Sequence, residues 1–221
     1  MIRAVVFDLD DTLYPEISYA EDGFRKAAAV LEGLYGVKNA YQKIRTLFDE
    51  DRQGVFDRLC RSEALPEKAV EDAVDTYRNN QPEKLEFYPK TKDVLQYLRQ
   101  NGLKTGIITD GRPFSQRAKI RALGAEAYFD AIIVTDEIGR EYRKPHPRAF
   151  EEMARKLNVR MEEMMYVGDN PQKDFAVKEY LPLKTVQIRT GGLYQDAEYR
   201  NDIVPDEIVA DIREILELVR S

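Results

Sequence analysis

Short apolar, β-branched segments alternate along most of the chain with longer segments of helical periodicity. The first covers Val5 to Phe7, and the later ones are Lys104 to Thr109, Ala131 to Thr135, Met164 to Val167 and Lys184 to Ile188. Between them apolar residues recur at spacings of three and four, which is typical of helices. Strands that alternate with helices predict a parallel sheet with helices on both faces. The expected fold class is α/β, with a Rossmann-like parallel sheet core.

Residues 14 to 88 interrupt this alternation. They contain helical patterns with no strand-like segment between them, among them Phe24 to Leu31 and Ala69 to Tyr77. Prolines lie near both edges of the segment, at Pro15 and Pro89, where hinge-like turns are expected. We therefore predict a Rossmann-like catalytic core formed by residues 1–13 and 89–221, and a helical domain at residues 14–88 inserted after the first strand.

Composition narrows the function classes. The chain has 221 residues, of which 43% are hydrophobic and 33% charged, so it can bury a full core. A net charge of -6 argues against a nucleic-acid surface. Neither a membrane-spanning run nor a cleavable leader pattern is found, so no membrane contact and a cytoplasmic location are expected. Cys60 and His146 are the sole cysteine and histidine, which excludes an internal disulfide, cysteine metal clusters and histidine triads.

Polar residues follow the predicted strands at the ends where ligands bind in an open parallel sheet. Asp8 and Asp10 end the first strand, Thr109-Asp110-Gly111 end the second, and Asp169 follows the fourth with Asp174 five residues later. If both carboxylates of the first strand face one site, they need a cation or a proton. Mg2+ would satisfy them and leave one carboxylate free to attack. The alternative is a turn capped by aspartate and threonine without a catalytic role.

A basic turn, Arg143 to Pro147, lies between these strand ends in the sequence and contains Lys144. Carboxylates, the Thr109 hydroxyl, a glycine turn with exposed N–H groups and an ammonium group are together what a phosphoryl-transfer site needs. They can provide a metal site, an oxyanion binder and charge neutralisation.

Four motifs in order give the chain a specific resemblance to the haloacid dehalogenase superfamily of phosphohydrolases. They are Asp8-Leu9-Asp10-Asp11-Thr12, then Ile107-Ile108-Thr109-Asp110-Gly111, then Lys144-Pro145, then Gly168-Asp169-Asn170-Pro171-Gln172-Lys173-Asp174. The resemblance extends over essentially the whole chain. It includes the helical insertion, because one large group of these enzymes carries a helical cap directly after the first motif.

The resemblance implies a role for each acid. Asp8 would be the nucleophile that forms an aspartyl-phosphate, and Asp10 would protonate the leaving oxygen and then deprotonate the attacking water. Mg2+ would be held by Asp8, the backbone carbonyl of Asp10 and Asp169. Asp174 would either bind the metal through water or orient Lys144.

The same resemblance implies a phosphate site. Thr109 and the N–H groups of Asp110 and Gly111 would bind the oxygens of the transferred phosphoryl group. Lys144 would neutralise charge near Asp8. In isolation, Thr109 could equally be a strand-end turn residue and Lys144 a surface lysine.

These implications predict a Mg2+-dependent phosphatase that acts on a small phosphorylated metabolite. A sugar phosphate is favoured because the stretch from Ile108 through Gln116 and Lys119 to Asp130 loosely resembles the branch that acts on acylneuraminate phosphates. Nucleotides and triose phosphates are the runners-up. The helical cap would select the substrate, with Tyr14, Glu16 and Tyr19 as the first candidates for contact.

Two other functions stay open. A haloacid dehalogenase would share the aspartate nucleophile, but Asp10 speaks against it, since the dehalogenase pattern lacks the second acid. A non-catalytic phosphate-sensing module would keep the fold, but all the catalytic acids are retained here. The sequence leaves a monomer and a homodimer equally open.

Overall fold

The computed structural model describes residues 1–220 and contains one parallel sheet of six strands in the order β3-β2-β1-β4-β5-β6. The strands are β1 Ala4–Phe7, β2 Lys104–Thr109, β3 Ala131–Val134, β4 Met164–Gly168, β5 Lys184–Ile188 and β6 Glu207–Val209. All residues of β1 and β4 are buried. Such uninterrupted apolar strands are expected where helices cover both faces of a sheet. The predicted α/β, Rossmann-like fold class is confirmed.

Helices connect the strands and cover the sheet. They are α5 Thr91–Gln100, α6 Pro113–Leu123, α7 Thr135–Ile138, α8 Arg148–Leu157 and α9 Ile215–Leu218. Phe150 and Met153 of α8 pack with Val6 of β1 and Ile108 of β2 in one apolar cluster. Gly106 of β2 is required by this packing, because a Cβ there would lie 2.6 Å from the Met153 sulfur.

Several details differ from the sequence prediction, among them that β1 begins one residue earlier and β4 ends one residue later than predicted. Strand β6 was not predicted, and it has only three residues, of which Val209 alone is buried. A short, half-exposed edge strand gives too little hydrophobic alternation to be recognised. The predicted third strand also ends one residue early, because α7 begins at Thr135.

The chain divides into two compact units, one formed by residues 1–16 and 84–221 and the other by residues 17–83. The helices of this region are α1 Glu16–Tyr35, α2 Ala40–Glu50, α3 Val55–Ser62 and α4 Glu67–Arg78. Aromatic rings form the centre of the helical unit, where Phe24 stacks on Tyr77 at 5.3 Å and meets Phe48 edge-on at 5.0 Å. Within residues 1–220, no helix is both long enough and apolar enough to cross a bilayer.

The sheet places the ends of three strands side by side. β1 pairs with β2 on one side and with β4 on the other, and Phe7 lies in register with Ile107 and Val167. The chain therefore reverses its direction of winding at β1. Side chains that follow Phe7, Ile108 and Val167 meet at this point, where open parallel sheets bind ligands.

Candidate active site

Asp8 lies at the centre of the strand ends. Its backbone N–H donates to the carbonyl of Val167 at 2.8 Å, and its side chain is 1% exposed. Lys144 Nζ lies 2.8 Å from Asp8 Oδ1, and Lys173 Nζ lies 3.8 Å from Oδ2. Neither carboxylate oxygen accepts a well-aligned hydrogen bond from any residue in 1–220. Burial raises the pKa of Asp8, and Lys144 and Lys173 oppose this rise. The lone pairs of Asp8 are thus available to a ligand.

Lys144 connects Asp8 to Asp174. Its Nζ donates to Asp174 Oδ1 and to the Tyr166 hydroxyl, both at 2.8 Å, and its side chain is fully buried. Burial lowers the pKa of this lysine, but Asp174 and Asp8 outweigh burial and raise the pKa above its usual value. Lys144 therefore stays charged between two acids.

Asp174 is held by three donors. Besides Lys144, the Tyr166 hydroxyl donates to Oδ1 at 3.1 Å, and the backbone N–H of Asn170 donates to Oδ2 at 2.9 Å. The carboxylate presses against Gly168, where an added Cβ would lie 2.5 Å from Oδ2. Glycine at this strand end is therefore a requirement for close approach.

Asp8, Asp169 and Asp174 form a buried group of acids whose nearest ligand oxygens all lie within 4.8 Å of one another. Thr12 makes a long hydrogen bond to Asp169 at 3.4 Å. Burial, with the charges of Asp174 and Asp8, raises the pKa of Asp169 to about 8. Three buried carboxyl groups lie beside the two ammonium groups of Lys144 and Lys173, and this excess of acids, together with the open oxygens of Asp8, fits a hard divalent cation.

Asp10, by contrast, has a carboxylate that three donor groups hold. Lys119 Nζ lies 2.8 Å from both carboxylate oxygens, the Tyr14 hydroxyl donates to Oδ1 at 2.6 Å, and Gln116 Nε2 donates to Oδ2 at 3.0 Å. Burial raises the pKa of Asp10, but Lys119 and the hydrogen bonds bring it below its usual value. The carboxylate of Asp10 lies outside the group of three acids.

The predicted phosphate-binding residues lie at the end of β2. The Thr109 side chain is buried, and its Oγ1 lies 2.5 Å from Gln116 Nε2. Asp110 Oδ1 accepts a hydrogen bond from Thr135 Oγ1 at 2.7 Å and from the Lys144 backbone N–H at 3.2 Å. Gly111 has φ of 133°, a region that favours glycine, and its backbone is hydrogen-bonded to Asp136. The structure therefore brings these residues to the strand end next to Lys144.

Several residues at the site had no assigned role in the sequence analysis. Tyr166 and Lys173 contact the acids directly, and Gln116 and Lys119 contact Asp10. Gln116 and Lys119 are one helical turn apart and buried in α6. Two polar residues on the apolar face of a helix that follows a catalytic strand are the signal that could have identified them.

The three predicted cap contacts lie in different places. Tyr14 is fully buried against Asp10, and Glu16 Oε1 lies 3.2 Å from Lys119 Nζ, so both belong to the surroundings of Asp10. Tyr19 is buried in the helical unit, where its hydroxyl donates to the backbone carbonyl of Asn80 at 3.3 Å.

Known proteins of one hydrolase family are similar to this chain. The model of the haloacid dehalogenase-like hydrolase family matches residues 2–176, and a second, related hydrolase model matches residues 141–215. A glyceraldehyde 3-phosphate phosphatase of Methanopyrus kandleri is 39% identical over 100% of this chain and 98% of its own length. The enzyme of the same name from Methanocaldococcus jannaschii is 31% identical, again over 100% of this chain and 98% of its own length.

Among solved structures, a 2-haloacid dehalogenase from Pseudomonas syringae superposes with a TM-score of 0.67 over 100% of this chain and 99% of its own. At 22% identity this likeness concerns the fold alone. The chain belongs to the haloacid dehalogenase-like hydrolase family. Both the predicted family and the predicted enzyme class, a phosphoric monoester hydrolase, are confirmed.

Proposed function

We propose that the protein is a Mg2+-dependent phosphatase that hydrolyses a small phosphorylated metabolite through an aspartyl-phosphate on Asp8. The observation that carries this proposal is the pairing of an open carboxylate with a fixed ammonium. Asp8 has no well-aligned hydrogen-bond donor within residues 1–220, while Lys144 lies 2.8 Å from it. A nucleophile needs a free lone pair, and an attacked phosphate ester needs its charge neutralised.

The group of three acids supports the choice of metal. Asp8 and Asp169 would hold Mg2+, with the backbone carbonyl of Asp10. Asp174 already accepts three hydrogen bonds, so we assign it to orienting Lys144 rather than to direct metal binding. When bound, the ion would neutralise the phosphate and the acids around it.

The reaction then needs one nucleophile and one group that moves a proton. Asp8 attacks phosphorus, and the bond between phosphorus and the leaving oxygen breaks. Asp10 protonates the leaving oxygen. In the second half Asp10 accepts a proton from the water that attacks phosphorus, the bond between phosphorus and the Asp8 oxygen breaks, and inorganic phosphate leaves with Asp8 free again. Asp10 is thereby protonated again for the next turnover. Thr109, with the backbone N–H groups of Asp110 and Gly111, would bind the phosphoryl oxygens.

For the substrate we propose a triose phosphate, with glyceraldehyde 3-phosphate as the first candidate. Several relatives that cover the chain from end to end carry the name of that phosphatase. Triose phosphates were a runner-up in the sequence analysis, behind larger sugar phosphates. The relatives favour the smaller substrate.

The test is phosphate release from glyceraldehyde 3-phosphate, a hexose phosphate, an acylneuraminate phosphate and a nucleotide, each measured with Mg2+ and with excess chelator. The triose phosphate should give the highest kcat/KM, and chelator should abolish release. Asp8→Asn should lose about three orders of magnitude or more, the scale of removing a covalent catalyst. Activity of Asp8→Asn near that of the wild type would refute the mechanism.

The division into a catalytic core at residues 1–13 and 89–221 and a cap at residues 14–88 stays a prediction. We propose that the helical segment selects the leaving group, since the core supplies only groups for phosphoryl chemistry. Substitutions in the helical segment should then change the ratio of kcat/KM between the triose phosphate and a generic aryl phosphate.

A further inference from the structure

A second cluster of buried polar groups surrounds Asp10 and leaves Asp8 untouched. We call it the Asp10 clamp, and it consists of Lys119, Gln116 and Tyr14. Its members make four contacts of 3.0 Å or less with one carboxylate. Because Lys119 bridges both carboxylate oxygens, three donor groups hold this carboxylate in one orientation.

Burial of the polar groups of the clamp costs free energy unless these groups are paired. Lys119 has a side chain that is 5% exposed, and Tyr14 is fully buried. A lysine placed there loses its hydration, and ion pairs with Asp10 and Glu16 compensate for that loss. An apolar side chain at this position of α6 would leave the buried Asp10 carboxylate without its ammonium partner, so Lys119 determines how Asp10 is held.

The clamp also connects Asp10 with the phosphate site. Gln116 Nε2 lies 3.0 Å from Asp10 Oδ2 and 2.5 Å from Thr109 Oγ1, so one amide group bridges them. Gly111 leaves room for this amide, since a Cβ at Gly111 would lie 3.4 Å from the Gln116 Cδ. The rotation of Asp10 is thereby coupled to the residue that we assign to the phosphoryl oxygens.

We infer that Lys119 and Gln116 are positioning residues that hold the Asp10 carboxylate in one orientation beside Thr109 and the phosphate site, where it exchanges protons with the leaving oxygen and the attacking water. This inference rests on the proposed function, because it requires Asp10 to move protons during turnover. Neither residue needs to touch the substrate. Without the clamp Asp10 would be free to rotate about its side-chain bonds, and proton transfer depends on the position of the transferring group.

The clamp makes a prediction about leaving groups that a general structural defect does not make. The leaving group of an alkyl phosphate is a strongly basic alkoxide, which needs a well-placed acid. The leaving group of an aryl phosphate such as p-nitrophenyl phosphate is much less basic and departs with little help. Loss of positioning should therefore reduce the rate for the alkyl ester more than the rate for the aryl ester. A distorted phosphate site would slow both esters equally.

The experiment compares Lys119→Met with Arg121→Met on glycerol phosphate and p-nitrophenyl phosphate in the presence of Mg2+. Arg121 is an exposed cation on the same helix, so its variant controls for lost charge and altered helix propensity. For Lys119→Met we expect kcat to fall at least about tenfold more on glycerol phosphate than on the aryl ester, with KM changed less than about threefold, as positioned proton transfer is worth about 10²–10⁴ in rate. Arg121→Met should match the wild type.

Tyr14→Phe, which removes one donor and keeps the ring, should show the same selective loss in smaller degree, and it serves if Lys119→Met fails to fold. Equal losses on the two esters, or none, in these variants would overturn the inference. If the wild type releases no phosphate from these two esters or from glyceraldehyde 3-phosphate, the proposed function itself fails. That outcome is distinct from an active wild type with unselective variants.

Discussion

Replacing Asp169 by asparagine should stabilise the metal-free protein, although it should also abolish turnover. Asp169 is buried beside Asp8 and Asp174, and this environment raises its pKa to about 8. In the unfolded chain the same group ionises near its ordinary value of 3.8. Ionisation of Asp169 is therefore less favourable in the folded state than in the unfolded state.

The size and sign of the effect follow from this difference in pKa. Below about pH 4 the carboxyl group is protonated in both states and has no effect on stability. Between about pH 4 and 8 only the unfolded state is ionised, so the free energy of unfolding falls as pH rises. At pH 7 the free energy of unfolding is lower by up to about 4 kcal/mol, because each unit of difference in pKa corresponds to about 1.4 kcal/mol. Asparagine does not ionise, so this loss of stability disappears in Asp169→Asn. The burial of its amide group costs about 1–3 kcal/mol and offsets part of the gain.

The assay is urea unfolding of wild type, Asp169→Asn and Asp174→Asn in excess chelator at pH 5 and pH 7.5. Asp174→Asn is the matched control, because the Asp174 carboxylate accepts hydrogen bonds from Lys144, Tyr166 and Asn170. That variant should be less stable than the wild type by about 1–3 kcal/mol. The reasoning is refuted if Asp169→Asn is no more stable than the wild type at pH 7.5, or if its advantage does not grow between the two pH values.

Other changes test other parts of the site. Gly168→Ala should lower stability by about 1–3 kcal/mol, because its Cβ would lie 2.5 Å from the Asp174 side chain. The control Gly33→Ala adds a Cβ with nothing within 4 Å and should raise stability by up to about 1 kcal/mol. Thermal unfolding distinguishes the two variants. Lys144→Met should destabilise the metal-free protein by about 3–5 kcal/mol in urea, since it removes the ammonium group that buried Asp8 and Asp174 share, and an unchanged midpoint would contradict this. Mg2+ should raise the unfolding temperature of the wild type and leave that of Asp169→Asn unchanged, as ligand binding to the folded state alone requires.

Much of the fold could be predicted because its signals are local. The apolar runs of β1 and β4 and the helical spacing of residues 17–83 are visible in short windows of sequence. Strand β6 could not be found this way, since its three residues are placed by pairing with β5 rather than by their own pattern. Propensity is weak in such short edge segments, and tertiary contacts decide.

The candidate site was predictable to the extent that its residues follow strand ends. Asp8, Thr109 and Asp169 could be grouped from the rule that parallel strands bring their carboxyl ends together. The groups that control those residues come from elsewhere in the chain, as Lys119 does for Asp10 across 109 positions. No sequence window contains such a contact. Burial of a lysine is also unexpected from composition, because lysine is almost always solvent-exposed.

In the proposed mechanism Asp8 carries the phosphoryl group during turnover. The decisive experiment is to trap that phosphoryl group on the protein. The enzyme is mixed with its best substrate and Mg2+, quenched in acid within the first turnover, digested and analysed by mass spectrometry. We expect one added phosphoryl group on the peptide that contains Asp8. It should be absent from Asp8→Asn, and in the wild type it should decrease when the reaction is chased before the quench. A phosphoryl group found on any other residue would contradict the account.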